Sequence, residues 1–164
     1  MAKEKNAFSR PTNVDEYDKR ILNILSIDGR VSISELAKRI NLSKTPTLSR
    51  VRRLEKEGII VGYRAVLQLI ELGLDHVAFV EVTLHDTREA ALQAFNLEVA
   101  KVHEIEQCHM IAGNFDYLLK VRTHSLADYR RVLGEKISTL PHVAQTKTFV
   151  AMQAVKDGEL NTSF

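Results

Sequence analysis

The stretch LSKTPTLSRVRRLEKEGIIVGY, residues 42–63, gathers hydroxyls and cations at close spacing. Ser43, Thr45 and Thr47 alternate with Lys44 and Pro46, and Arg50, Arg52 and Arg53 follow. Hydroxyls and the free N–H groups of a helix start bind oxyanions, and guanidinium groups pair with phosphate or with guanine edges. Between Lys38 and Lys56 stand seven basic residues and one acidic residue. Residues 1–63 hold 13 Lys and Arg against 8 Asp and Glu, whereas 64–164 hold 10 against 13. A net +5 beside a net −3 points to a polyanionic partner for the N-terminal third alone. The competing explanation is a solvated basic helix face.

Other chemistry is thinly represented. The six histidines, at 76, 85, 103, 109, 124 and 142, show neither the H-E-x-x-H spacing nor paired Cys/His spacing. Cys108-His109 is the one adjacent pair able to ligate a metal, and in a strand such a pair is ordinary packing. The glycines stand singly, so no phosphate loop is present. The expectation is a protein with no catalytic residues, metal or cofactor. One cysteine excludes an internal disulfide and fits a reducing, cytoplasmic setting. No apolar run reaches the ~20 residues of a membrane span, and the start MAKEKNAFSR has no signal-peptide core.

Elements must position the basic stretch. Ile21, Leu22, Ile24 and Leu25 predict a helix from Asp15 to Ser26, closed at Asp28-Gly29 with Gly29 suited to a left-handed cap. A second opens at Ser32 or Ser34 and runs through Glu35, Leu36, Ala37 and Ile40. Proline inside a helix costs about 3 kcal/mol, but in the first turn there is no intrahelical N–H bond to lose. Pro46 therefore marks the start of a third helix capped by Ser43, with Ser43, Lys44, Thr45 and Thr47 facing outward and Gly58 closing it. Two helices joined by Asn41-Leu42-Ser43 describe a helix-turn-helix. Ile59–Val61 and Tyr63–Val66 are expected to form a small β wing. The expected DNA contacts are Ser43, Lys44, Thr45, Thr47, Arg50, Arg52 and Arg53. Arg52 and Arg53 are adjacent and cannot both enter one groove, so at least one of them meets phosphate.

The pattern changes after residue 75. Strands are expected at 76–85, 104–113, 115–123 and 143–155, and helices at 86–104 and 125–140. A tight turn at Gly113-Asn114 joins the middle strands. The order β-α-β-β-α-β is the ferredoxin-like plan, with both helices on one face of the sheet. The strands still carry apolar residues on both faces, such as Phe79 opposite Val80, so the helix-free face needs a cover. Dimerisation is the simplest one, and a two-fold protein suits a two-fold operator. The fold class is thus α+β: a winged helix-turn-helix domain (1–63), a linker (64–75), a βαββαβ ligand-binding and oligomerisation domain (76–155) and a tail (156–164).

Residues 42–63 resemble the helix-turn-helix signature of the Lrp/AsnC, or feast/famine, transcriptional regulators. FVEVTL, IEQCHMIAGNFDYLLKVR and ADYRRVLGE resemble the regulatory domain of that family, in order, from Val14 to Val155. Within it the chain is most similar to the leucine-responsive branch. The resemblance implies a regulator that binds double-stranded DNA as dimers, commonly assembled into octamers, and an amino-acid effector bound between dimers. It further implies an effector site at the turn Gly113-Asn114-Phe115-Asp116-Tyr117, with Thr146 and Thr148 as weaker candidates. One departure stands out: several members carry aspartate where this chain has Asn114. Asp116 is either the compensating charge or a fold residue.

Two other classes compete with an effector-tuned, sequence-specific regulator. An architectural protein would wrap DNA and ignore small molecules. An enzyme on a ferredoxin-like dimer would need a catalytic constellation that these residues do not supply.

Overall fold

The computed structural model describes residues 14–156. The tails expected to be mobile, Met1–Asn13 and Lys156–Phe164, lie outside the described residues except for Lys156 itself. The chain divides between Val66 and Leu67 into two compact units. Among the described residues no helix is long and apolar enough to cross a membrane.

The first unit holds α1 (Glu16–Ile27), α2 (Ile33–Arg39) and α3 (Lys44–Lys56). A capping box opens α1: the Asp15 carboxylate accepts from Asp18 N–H and the Asp18 carboxylate accepts from Asp15 N–H, both at 3.0 Å. Ser32 Oγ accepts from Glu35 N–H at the start of α2. Asn41 takes a left-handed φ of 58°. Asn41 N–H then bonds Lys38 C=O and Leu42 N–H bonds Ala37 C=O, the paired bonds of a Schellman ending. That ending is the turn of the helix-turn-helix. Gly58, at φ 72°, closes α3 in the same way through Gly58 N–H to Glu55 C=O and Ile59 N–H to Leu54 C=O. Ile21, Leu36, Ile40, Val51 and Leu54 form the core. Burying each such side chain stabilises by about 1.5–3 kcal/mol.

The helix end at Gly29 and the strands at 59–66 depart from expectation in this unit. Gly29 has no left-handed φ; α1 instead ends at Asp28, whose N–H bonds Ile24 C=O and whose carboxylate accepts from Arg30 N–H. The segment 59–66 carries no strand ladder, and Val61 and Val66 are 94% and 88% exposed. A lone two-stranded ribbon buries too little apolar surface to hold itself.

The second unit contains β1 (His76–Leu84), α4 (Glu89–Val99), β2 (Ile105–Met110), β3 (Tyr117–Thr123), α5 (Leu126–Val132) and β4 (Val143–Val150). All ladders are antiparallel in the order β2-β3-β1-β4, the ferredoxin-like arrangement. Ala78, Val80, Val82 and Leu84 of β1 join Tyr117, Leu119 and Val121 of β3 beneath Phe95 and Val99 of α4 and Tyr129 and Val132 of α5. The opposite face shows Phe79 and Phe149, in register with each other and 38% and 43% exposed. Glu106 pairs there with Lys120 and Arg122.

Three boundaries differ from expectation. After Val132 the helix widens into a π-type turn, Leu133–Ile137, in which Ser138 N–H reaches Leu133 C=O. β4 stops at Val150, because β1 offers it no partner beyond the bond from Ala151 N–H to Val77 C=O. The link from β2 to β3 spans 111–116 rather than two residues, and neither Gly113 nor Asn114 has positive φ.

Candidate nucleic-acid interface and effector turn

α3 has one inward and one outward side. Thr47, Val51 and Leu54 are buried, at the i, i+4, i+7 spacing that shares a face. Thr47 was expected to face outward; it is fully buried, and its hydroxyl donates to Ser43 C=O at 2.9 Å. Ser43 occupies the N-cap position with extended backbone, but its side chain makes no capping bond. Lys44, Thr45, Ser49, Arg52 and Lys56 are exposed. Among the described residues, no carboxylate lies within salt-bridge distance of Lys44, Arg52 or Lys56.

Arg50 and Arg53 turn toward α1. Arg50 Nη1 donates to Asp15 Oδ2 at 2.6 Å and to Asp18 Oδ1 at 2.9 Å, and Arg53 Nη2 donates to Asp18 Oδ2 at 2.5 Å. The Arg50 guanidinium also lies 5.4 Å from the Tyr17 ring centroid. The Asp18 side chain is only 1% exposed, whereas those of Arg50 and Arg53 are 27% and 30% exposed. Burial pushes the Asp18 carboxyl up, but the bonds from Asp15 N–H, Arg53 and Arg50 outweigh it and hold the group below its ordinary range. The same two carboxylates that cap α1 therefore receive both guanidinium groups from α3. Asp15 and Asp18 escaped the sequence reading, although D-x-x-D and R-x-x-R spacings each place two charges on one helix face.

In the second unit Gly113 and Asn114 are exposed at the turn, Phe115 and Asp116 are half-buried, and Tyr117 is buried. Asp116 N–H donates to Val82 C=O, Ile111 N–H donates to Asp116 C=O, and Asp116 Oδ2 accepts from Leu84 N–H at 2.7 Å. Asp116 thus fastens the turn to the end of β1. Tyr117 points into the core, its ring centroid 4.4 Å from that of Phe95, and burial raises its phenol. Thr146 lies across β1 from Tyr117, both opposite Val82. The Thr148 hydroxyl is 2.5 Å from Tyr129 Oη on the helix-covered face. The structure groups 113–116 at one end of the sheet, while Tyr117 and Thr148 serve the core. Burial pushes the Cys108 thiol up to about 11, which leaves no thiolate nucleophile near neutral pH.

Comparison with known proteins agrees with this layout. Residues 14–61 match the winged helix-turn-helix DNA-binding family, and 77–160 match the Lrp/AsnC ligand binding domain. The chain is 59% identical over 145 residues to a proline dehydrogenase transcriptional activator of Rhizobium radiobacter, covering 88% of this chain and 93% of that protein. It is 46% identical over 144 residues to the leucine-responsive regulatory protein of Escherichia coli K12, covering 88% of each. A feast or famine regulatory protein of M. tuberculosis, solved with L-methionine, superposes with a TM-score of 0.80 at 31% identity, covering 88% of this chain and 95% of that one. The relatives are regulators and not enzymes, and the chain belongs to the Lrp/AsnC family of DNA-binding transcriptional regulators.

Proposed function

We propose that this regulator binds specific operators in the cytoplasm through the exposed side of α3 and is tuned by a free amino acid. The observation that carries the DNA half is the solvent-facing set Lys44, Thr45 and Arg52 at the start and middle of α3, beside the uncapped hydroxyl of Ser43. Hydroxyls and N–H groups at a helix start fix phosphates, and arginine reads guanine or phosphate.

The effector half rests on the turn 113–116, whose exposed Gly113-Asn114 backbone can meet an ammonium or a carboxylate. Asn114 adds an amide that donates and accepts. The Asp116 carboxylate already holds Leu84 N–H, so its charge acts on a ligand from within the scaffold. Thr146 sits two strands from Tyr117, with β1 between them. The site is completed between dimers, which form when the Phe79 and Phe149 faces pack together and assemble further into an octamer. The relative named as an activator of proline dehydrogenase makes proline the first ligand to test, with methionine and the branched-chain amino acids next.

The experiment is thermal unfolding against each of the twenty amino acids. A ligand at ~100 times its Kd adds about 2.7 kcal/mol, a shift of several degrees. A shift confined to one chemical class supports effector tuning. No shift with any amino acid would favour an effector-independent architectural protein that wraps DNA.

A further inference from the structure

Around α3, each residue advances by about 100°. Thr45, Ser49, Arg52 and Lys56 follow one another at spacings of four, three and four, so they line one stripe, and all are exposed. The buried line Thr47, Val51 and Leu54 lies on the other side of the helix. Arg50 and Arg53 lie between the stripe and the buried line, on the one side of α3 from which they reach Asp15 and Asp18.

We propose that α3 reads DNA through the stripe Thr45–Ser49–Arg52–Lys56, and that Arg50 and Arg53 are positioning residues that aim this stripe by gripping Asp18. The proposal deepens the DNA-contact reading of α3 and rests on it. Swinging Arg50 or Arg53 onto a phosphate would strip a partner from a carboxylate that is 1% exposed and out of reach of replacement water. The phosphate would offer in exchange only a contact screened by solvent and salt. Arg52 forgoes no such bond. It and Lys56 supply the charge, while the hydroxyls of Ser49 and Thr45, short enough to approach base edges, supply discrimination.

The test uses the full chain and a short duplex enriched from a random-sequence pool by the unaltered protein, with affinity followed against salt. Arg52→Gln and Lys56→Gln flatten the log–log salt dependence by about 0.9 for each contact removed. Ser49→Ala leaves the slope unchanged and lowers the preference for the selected duplex over random DNA by about fivefold or more. Arg50→Gln, Arg53→Gln and Asp18→Asn weaken binding with the slope preserved.

Tighter binding and a steeper slope in Asp18→Asn would overturn the clamp, since the freed arginines would then be going to DNA. Slope losses in Arg50→Gln and Arg53→Gln equal to that of Arg52→Gln would do the same. Wild-type slope and selectivity in Arg52→Gln and Ser49→Ala would overturn the stripe. Both of those positions are exposed, so they decide it even where a clamp variant fails to fold. A parent chain that selects no duplex at all would instead count against the DNA-contact reading beneath the proposal.

Discussion

Replacing Asp18 by asparagine tests how α1 and α3 are held together. In the native chain Asp18 Oδ1 accepts from Arg50, and Oδ2 accepts from both Arg53 and Asp15 N–H. An amide has one acceptor oxygen, so its NH2 must face at least one of these donors. A hydrogen bond to a charged partner contributes about 1.5–3 kcal/mol, and breaking a fully buried pair costs about 3–5 kcal/mol. The arginines are 27% and 30% exposed, and solvent recovers part of their loss, which puts the cost near the low end at about 2 kcal/mol. That is roughly a thirtyfold rise in the population of opened α1–α3 states. Peptide-resolved hydrogen exchange reads it directly: amides of α1 and α3 should exchange roughly thirtyfold faster, with β1 and β3 unchanged. The pH dependence has a definite sign. The folded pKa of Asp18 lies below its ordinary 3.8, so the stabilisation is complete above about pH 4 and fades as pH falls through the lower folded value. Native exchange rates in α3 of Asp18→Asn near neutral pH would refute the reasoning.

The other expectations can be checked one by one. Asp116→Ala removes the acceptor for Leu84 N–H and should cost about 1–2 kcal/mol in thermal unfolding, whereas Asp116→Asn keeps an acceptor and should stay near native stability. If Asp116→Asn nonetheless abolishes an amino-acid-induced shift, its charge acts on the ligand. Phe149→Asp places a charge on the exposed helix-free face beside Phe79, and sedimentation equilibrium should show dissociation toward monomers. Gly58→Ala forces a side chain to φ 72° with open space around it, so the cost is backbone strain alone, about 1–2 kcal/mol by chemical denaturation.

What the sequence disclosed follows the range of the interactions involved. The caps at Ser32 and Gly58 and the buried positions Ile21, Leu36 and Ile40 were readable, because capping and helical periodicity act within a few residues. The chain order β-α-β-β-α-β followed from alternation and helical periodicity. Partners far apart in sequence were hidden. Asp18 meets Arg53 across 35 positions, and Asp116 meets Leu84 across 32. Thr47 misled for another reason: its spacing to Val51 and Leu54 placed it inside, but its hydroxyl suggested a DNA contact. Backbone Ser43 C=O satisfies that hydroxyl, so its burial carries little penalty. The strands expected at 59–66 are absent because strand propensity forms no ladder without a stable neighbour to pair with.

The measurement closest to the central claim is affinity for a selected duplex and for random DNA at one fixed salt concentration, each with and without proline. An effector-tuned, sequence-specific regulator should favour the selected duplex by at least ~10³-fold, and the ligand should change that affinity by about 5-fold or more. Equal affinity for both duplexes, unmoved by proline or by any other amino acid, would contradict the account and leave a protein that coats DNA without reading it.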